Sequence, residues 1–476
     1  MIQAAVAQNA FAVIVILLWP ILGIALFKYR PANQAILWII LGGFLILPAG
    51  AGIKLAPGIP QLDKVSIPTF TALLGVLFFT KRQTRFGSGF SWINIFVVVY
   101  VMSPLASSLF NSDPVFDGSV LLPGAGFYDG ISAVIGQAIF IVPFWLGRRF
   151  LRSPEDTEYS LKALTIAGAI YTLPMLYELR MSPQLNRIIY GYYQFGFETQ
   201  IREGGFRPVV FLDNGLVTSF FLMSAFVASV AIWRSKSPAG VRIKAPLLSA
   251  YLGMVLILCK SLGSLIYGVV LAPIIYFCKP KLQIRFAMLL ATLALCYPIL
   301  RIADLVPTDS LIQLAEYQNK DRAESLKVRF SQEKALSDRA MERPMFGWGR
   351  FGRSRIFDES GKDISITDGR WIITLGQFGL VGFFAEFGLL AASVFSAAYA
   401  LRQGHWQSDA ILIGALALIV AINTIDLIPN ASLSSWTWLL AGGLVGRGEA
   451  SRIAAKSANR PRIAEIGKPV LGRSVI

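Results

Sequence analysis

Arg207 closes the segment Arg202-Glu-Gly-Gly-Phe-Arg207-Pro208, which runs straight into an apolar stretch carrying Asp213 and Asn214. A guanidinium is planar and permanently charged, and its fork of donors matches phosphate or pyrophosphate oxygens two at a time. The two glycines beside it leave the backbone open to a ligand. The same arginine at a span entrance can also simply snorkel to lipid headgroups, as Arg202 can. Asp213 and Asn214 read as about two turns inside that span, where a lone acid is costly, so a basic partner is expected. Lys260, in the short turn Lys260-Ser-Leu-Gly-Ser264, is either a helix-end anchor or a second charge for the same ligand.

Two further features lie later in the chain. Between Asp321 and Arg343, Leu326, Phe330 and Leu336 recur near helical spacing among Lys327, Arg329, Lys334 and Arg339. That pattern predicts an amphipathic helix lying on a surface. It can pack as a plain cover, or close over a substrate with Arg329 facing inward. Asp368-Gly369-Arg370-Trp371 precedes a long apolar run. A carboxylate at a membrane surface among arginines can orient or deprotonate a hydroxyl. Asp368 can equally be the N-cap of the helix that follows.

The elements that position these residues are membrane spans. The 476-residue chain is 55% hydrophobic and 15% charged, and its mean hydropathy is +0.59. A soluble chain carries roughly 25% charge. Apolar runs long enough for roughly 30 Å of hydrocarbon are predicted at 10–27, 33–53, 66–80, 90–109, 131–147, 159–178, 208–233, 245–259, 265–278, 286–303, 372–400, 410–428 and 432–446. The reading is an all-α integral membrane protein with twelve to thirteen transmembrane helices. Residues 1–446 form the polytopic domain, 304–371 a large loop within it, and 447–476 a basic tail.

The net charge of +16 is gathered in short clusters, among them Lys28/Arg30, Lys81/Arg82/Arg85, Arg148/Arg149/Arg152 and Lys279/Lys281/Arg285. Basic short loops stay on the cytoplasmic side. With an external N-terminus every cluster falls inside in alternation, which leaves 304–371 external and the C-terminus cytoplasmic. No nucleic-acid partner is implied. The contacts expected from charge alone are with membrane lipid, to which the basic tail adds anionic headgroups.

Several chemistries are excluded. The only histidine, His405, falls in a predicted cytoplasmic turn, so no Ser-His-Asp triad or histidine zinc site is available on the outer face. No P-loop, dinucleotide fingerprint or kinase set occurs. Cys259, Cys278 and Cys296 lie in apolar spans without metal-ligand spacing and read as packed thiols. Glycine pairs such as Gly42-Gly43 and Gly442-Gly443 read as close helix contacts. No cofactor and no metal are expected.

Four segments together resemble the superfamily of O-antigen ligases and Wzy-type polysaccharide polymerases. Arg207-Pro-Val-Val-Phe-Leu-Asp-Asn214 resembles its arginine-bearing span entrance, and Leu326-Lys-Val-Arg329-Phe its loop helix. Pro344-Met-Phe-Gly347-Trp-Gly349 resembles its "P-x-F-G-x-G" close. Asp368-Gly-Arg-Trp-Ile-Ile-Thr-Leu-Gly-Gln-Phe-Gly379-Leu-Val-Gly382 aligns without gaps on "H-N-x-Y-L-x-x-L-x-E-x-G-L-x-G". The resemblance covers residues 202–388. It implies a GT-C-like helical fold and a metal-independent glycosyltransferase of the bacterial inner membrane. Such an enzyme uses an undecaprenyl-pyrophosphate-linked oligosaccharide at the periplasmic face, in exopolysaccharide or O-antigen synthesis. Chain-length regulator and export proteins are its expected partners.

The chain departs from the pattern at two places. Asp368 stands where the ligases carry histidine, with Gly369 for the asparagine, and Lys260-Ser261-Leu262-Gly263 replaces a Ser-Arg-Gly element. Both departures favour the polymerase over the ligase that transfers glycan to a lipid or protein. Under the resemblance, Arg207 is the pyrophosphate clamp and Asp368 the acceptor-orienting carboxylate. Arg202, Lys260, Arg329, Asp213 and Arg370 complete the expected substrate contacts. Two other classes stay open: a flippase for a lipid-linked sugar, using Asp213, Asp426 and Lys260, and a non-catalytic assembly factor.

Overall fold

The structure is a computed structural model that describes residues 8–54, 60–80, 91–117, 119–202, 204–235, 245–318, 320–402 and 409–458. His405, the cluster at Lys81 and the tail beyond residue 458 lie outside the described residues. Every predicted span coincides with a helix. In chain order these are α1 (Ala10–Tyr29), α2 (Ala32–Ile46), α3 (Ser66–Phe79), α4 (Trp92–Leu109), α5 (Phe127–Phe150), α6 (Pro154–Met181), α8 (Gly215–Ser235), α9 (Ala245–Leu258), α10 (Leu262–Phe277), α11 (Pro280–Ile302), α14 (Arg370–Arg402), α15 (Ala410–Asp426) and α16 (Ser435–Ala458). By length and composition α1, α4, α5, α8, α11 and α14 can each cross a membrane. The chain is an all-α, multi-pass membrane protein.

Outward-facing apolar side chains fit that reading. Phe11, Leu17 and Ile21 of α1 are about half exposed or more, and their natural solvent is lipid. Helix-to-helix contact depends on missing side chains. A Cβ at Gly442 would lie 1.9 Å from the Phe144 carbonyl oxygen, and one at Gly147 would lie 2.1 Å from that of Leu439. α5 and α16 therefore pack backbone to backbone, which is how membrane helices gain contact when no hydrophobic effect drives them together.

Polar contacts sort to two faces. At one, Arg148 pairs with Glu449 and Arg447 with Asp409. The other face carries everything the site needs: the hairpins β1–β2 (Gly52–Ile53, Leu62–Asp63), β3–β4 (Val115–Asp117, Val120–Leu122) and β5–β6 (Ile201–Arg202, Gly205–Phe206), the short helix α7 (Leu185–Tyr190), and the loop helices α12 (Thr308–Gln318) and α13 (Lys320–Met341).

Several boundaries differ from the sequence reading, among them the end of the second span, at Ile46 rather than 53. α16 runs on to Ala458 with Arg447 buried, so residues 447–458 belong to the bundle rather than to a tail. The seventh span begins at Gly215, not at 208. Residues 208–214 are non-helical because Glu178 of α6 captures their backbone: its carboxylate accepts from the N–H groups of Val209 and Val210, both at 2.7 Å. Asn214 then caps α8 by accepting from Leu216 and Val217.

Candidate functional site

The loop face holds the expected residues in separate groups. Arg202, Arg207 and Lys260 form the first. Between β5 and β6 Gly204 takes φ +70°, and Lys260 turns its own corner at φ +52°. The Lys260 Nζ reaches 3.3 Å from the Arg202 carbonyl, and the Arg207 Nε donates to the Lys260 carbonyl at 3.2 Å. A Cβ at Gly205 would lie 2.3 Å from that ammonium. The space that the glycine pair was expected to leave for a ligand therefore holds the Lys260 side chain. The contacts that join the three residues run through the main-chain carbonyls of Arg202 and Lys260.

Asp213 corrects the sequence reading. It is exposed in the turn before α8, not two turns deep in a span, because the helix starts after it. The nearby cation is Lys64, which is buried beside α3 and donates to the Phe211 carbonyl at 2.7 Å. Burial pushes the Lys64 amine down to about 8, against the pull of Asp213 and Asp63.

The second group is Arg329 and Asp368. α13 carries Arg329 to 3.2 Å from the Asp368 carboxylate. Both are partly open to solvent, at 41% and 43% exposure, so their pairing adds little stability. They line a cavity of about 220 Å³ whose walls include Tyr297, Phe330, Glu333 and Pro429. Asp368 is not the helix cap: α14 starts at Arg370, so Gly369 takes that place.

Glu333 was not anticipated. The Tyr297 hydroxyl donates to it at 3.0 Å and Arg301 lies 3.5 Å away. Burial pushes its carboxyl above the ordinary glutamate range, against Tyr297, Trp371 and Arg301. The cavity thus holds two carboxyl groups in different environments, an arrangement suited to acid–base work. Its place in the amphipathic loop helix was the only sequence signal for it.

Arg370, expected among the substrate contacts, is bonded to a buried carboxylate. Its Nε and Nη2 donate to Glu386 at 2.8 and 2.6 Å, and Thr374 adds a third bond to that carboxylate at 3.0 Å. Glu386 is fully buried. The fork that would hold a ligand instead braces α14 across its break at Gly379, where φ is +66° and ψ −166°.

The Pro344–Gly349 motif repairs that break. Trp348 and Gly349 donate to the carbonyls of Gly376 and Gln377 at 2.8 and 2.9 Å. Leu380 and Val381 donate back to those of Pro344 and Met345 at 2.7 and 3.2 Å. Backbone groups freed by the kink thus find partners, as a membrane helix demands. Trp348 is sandwiched between the guanidiniums of Arg339 and Arg343, 3.8 and 4.3 Å from its ring centre. Arg343 also forks onto Asp113, with bonds of 3.0 and 2.5 Å, and lowers that carboxyl below its ordinary value. The later part of the loop is therefore latched to the bundle, while α13 lies over the small cavity.

Among the described residues, no group of three or more His, Cys, Asp or Glu side chains is placed to hold a metal ion. No protein-family model matches the chain, and no curated protein matches it.

Proposed function

We propose that the chain is a GT-C-like glycosyltransferase of the bacterial inner membrane. It polymerises undecaprenyl-pyrophosphate-linked oligosaccharide repeat units at the periplasmic face, with its N-terminus periplasmic and its C-terminus cytoplasmic. The observation that carries this reading is the meeting of Arg329 and Asp368 at a cavity. It lies on the face that also gathers Arg202, Arg207 and Lys260.

In the proposed reaction Arg207, with Lys260 beside it, holds the pyrophosphate of the donor. Asp368 orients the acceptor hydroxyl and takes its proton. A bond forms between the acceptor oxygen and the anomeric carbon as the bond from that carbon to the pyrophosphate oxygen breaks. The lipid pyrophosphate leaves with the electron pair, its developing charge stabilised by fixed cations. The donor arrives activated, so no nucleotide enters the step.

Deletion of the gene tests this reading in cells. Single repeat units should accumulate on the lipid carrier at the periplasmic face. Units trapped on the cytoplasmic face would replace the polymerase with a flippase, and normal-length polymer would remove both.

A further inference from the structure

A further cleft on the loop face lies outside both groups above. Its volume is about 1080 Å³, and it is lined by Lys54 and Asp63 at the β1–β2 strands, the first half of α5, the turn after Gly349 and the start of α14. We propose that this cleft binds a run of saccharide chain, which serves as the acceptor glycan if the function proposed above, on which its role rests, is right.

Charge is the first reason. Lys54 and Arg350 line the cleft together with Asp63 and Asp129, so donors and acceptors of both signs face one space. Ring hydroxyls donate and accept, and such a lining serves both. With Arg370 neutralised by Glu386, the charges lining the cleft balance, which suits a neutral chain better than a polyanion. Asp129 also caps α5, accepting from the Gly126 N–H at 2.9 Å, which occupies one side of one carboxylate oxygen.

Aromatic exposure is the second. Tyr128 and Phe351 line the cleft at 61% and 64% exposure. Phe351 holds its ring there at φ +63°, a strained backbone for a bulky residue. Glycine would sit in that turn without strain. A ring kept at an energetic cost on the wall of a polar cleft suits stacking against the C–H face of a sugar.

Size and position complete the case. Pockets for single small ligands run about 300–1,000 Å³, so this cleft holds more than one sugar ring. The segment Asp368–Arg370 is shared by both spaces: Asp368 and Gly369 line the small cavity, and Arg370 lines the cleft. Consecutive residues of one segment thus face the two spaces.

The probe is the end-labelled repeat-unit oligosaccharide, released from the polysaccharide of the encoding cells and freed of lipid and phosphate. Its binding to the full protein in nanodiscs is measured by fluorescence anisotropy. Phe351→Gly, which relieves the backbone, and Asp129→Asn, which keeps a capping oxygen, should each weaken binding about tenfold, equivalent to about 1.4 kcal/mol. Inorganic pyrophosphate should not displace the probe. The assignment fails if the wild type does not bind in the millimolar range, if both variants bind as the wild type does, or if pyrophosphate competes. Binding that depends on these residues in a protein that makes no polymer would instead sink the polymerase and leave the cleft a saccharide site.

Discussion

The backbones of Gly347 and Gly379 touch, and neither position has room for a side chain. A Cβ on Gly347 would lie 2.6 Å from the Gly379 nitrogen, and one on Gly379 would lie 2.4 Å from the Met345 carbonyl oxygen. Both residues have positive φ. The loop motif and the broken helix are thus one structural unit.

Alanine at either position should therefore be expensive. Left-handed backbone costs about 1–2 kcal/mol for an L-residue and overpacking adds about 1–3 kcal/mol. Gly349 has φ +80° but open space around it, so Gly349→Ala should cost only the first of these. Thermal unfolding of the purified protein should rank Gly349→Ala well above the other two. Equal losses at all three positions would show that Gly347 and Gly379 are not in contact.

The Arg370–Glu386 pair should behave as a buried ion pair. Glu386→Gln alone leaves the guanidinium without its counter-charge and should cost about 3–5 kcal/mol. The double change Arg370→Met with Glu386→Leu should cost less than the sum of the two single changes, which a double-mutant cycle reads directly. Additive losses would mean that the two side chains do not depend on each other.

How far the sequence disclosed these relationships depended on distance along the chain. The spans were legible because lipid demands long apolar runs, and all thirteen reappear as helices. The start of the seventh was misread because Val209-Val210-Phe211-Leu212 is as apolar as any span. Glu178, distant in sequence, is what diverts its backbone. Asp213 was placed too deep for the same reason. Helix periodicity marked Arg329 as a residue able to face inward, but its pairing with Asp368 was not anticipated. Nor was the commitment of Arg370 to Glu386, because the break at Gly379 that brings them together leaves no periodic signal.

Acid should loosen the loop latch. The Asp113 carboxyl is held below its ordinary value by the hydrogen bond from Arg343, so its contribution is complete above the unfolded-state value near 4 and is lost as pH falls through the folded one. Hydrogen exchange of residues 343–353 should rise between pH 5 and pH 3 in the wild type. In Asp113→Asn it should already be raised at pH 7, with this acid step removed. An identical pH profile in both proteins would take Asp113 out of the latch.

Arg329 and Asp368 should matter far more to turnover than to folding. Their exposed pair is worth about 0–1 kcal/mol, so Arg329→Ala and Asp368→Asn should leave the unfolding temperature nearly unchanged. Polymer formation should fall by about 100-fold or more in Asp368→Asn, the scale of a lost general base. Arg329→Lys should restore part of what Arg329→Ala loses. Full activity in Asp368→Asn would leave the pair a surface contact and shift attention to Glu333.

The most direct measurement uses purified protein in nanodiscs with its lipid-pyrophosphate-linked repeat unit, following polymer length and released lipid pyrophosphate together. The wild type should form polymer and release one lipid pyrophosphate for each unit joined, and Arg207→Ala should do neither above about one hundredth of that rate. Polymer made at the wild-type rate by a well-folded Arg207→Ala protein, or none made by the wild type, would contradict the account.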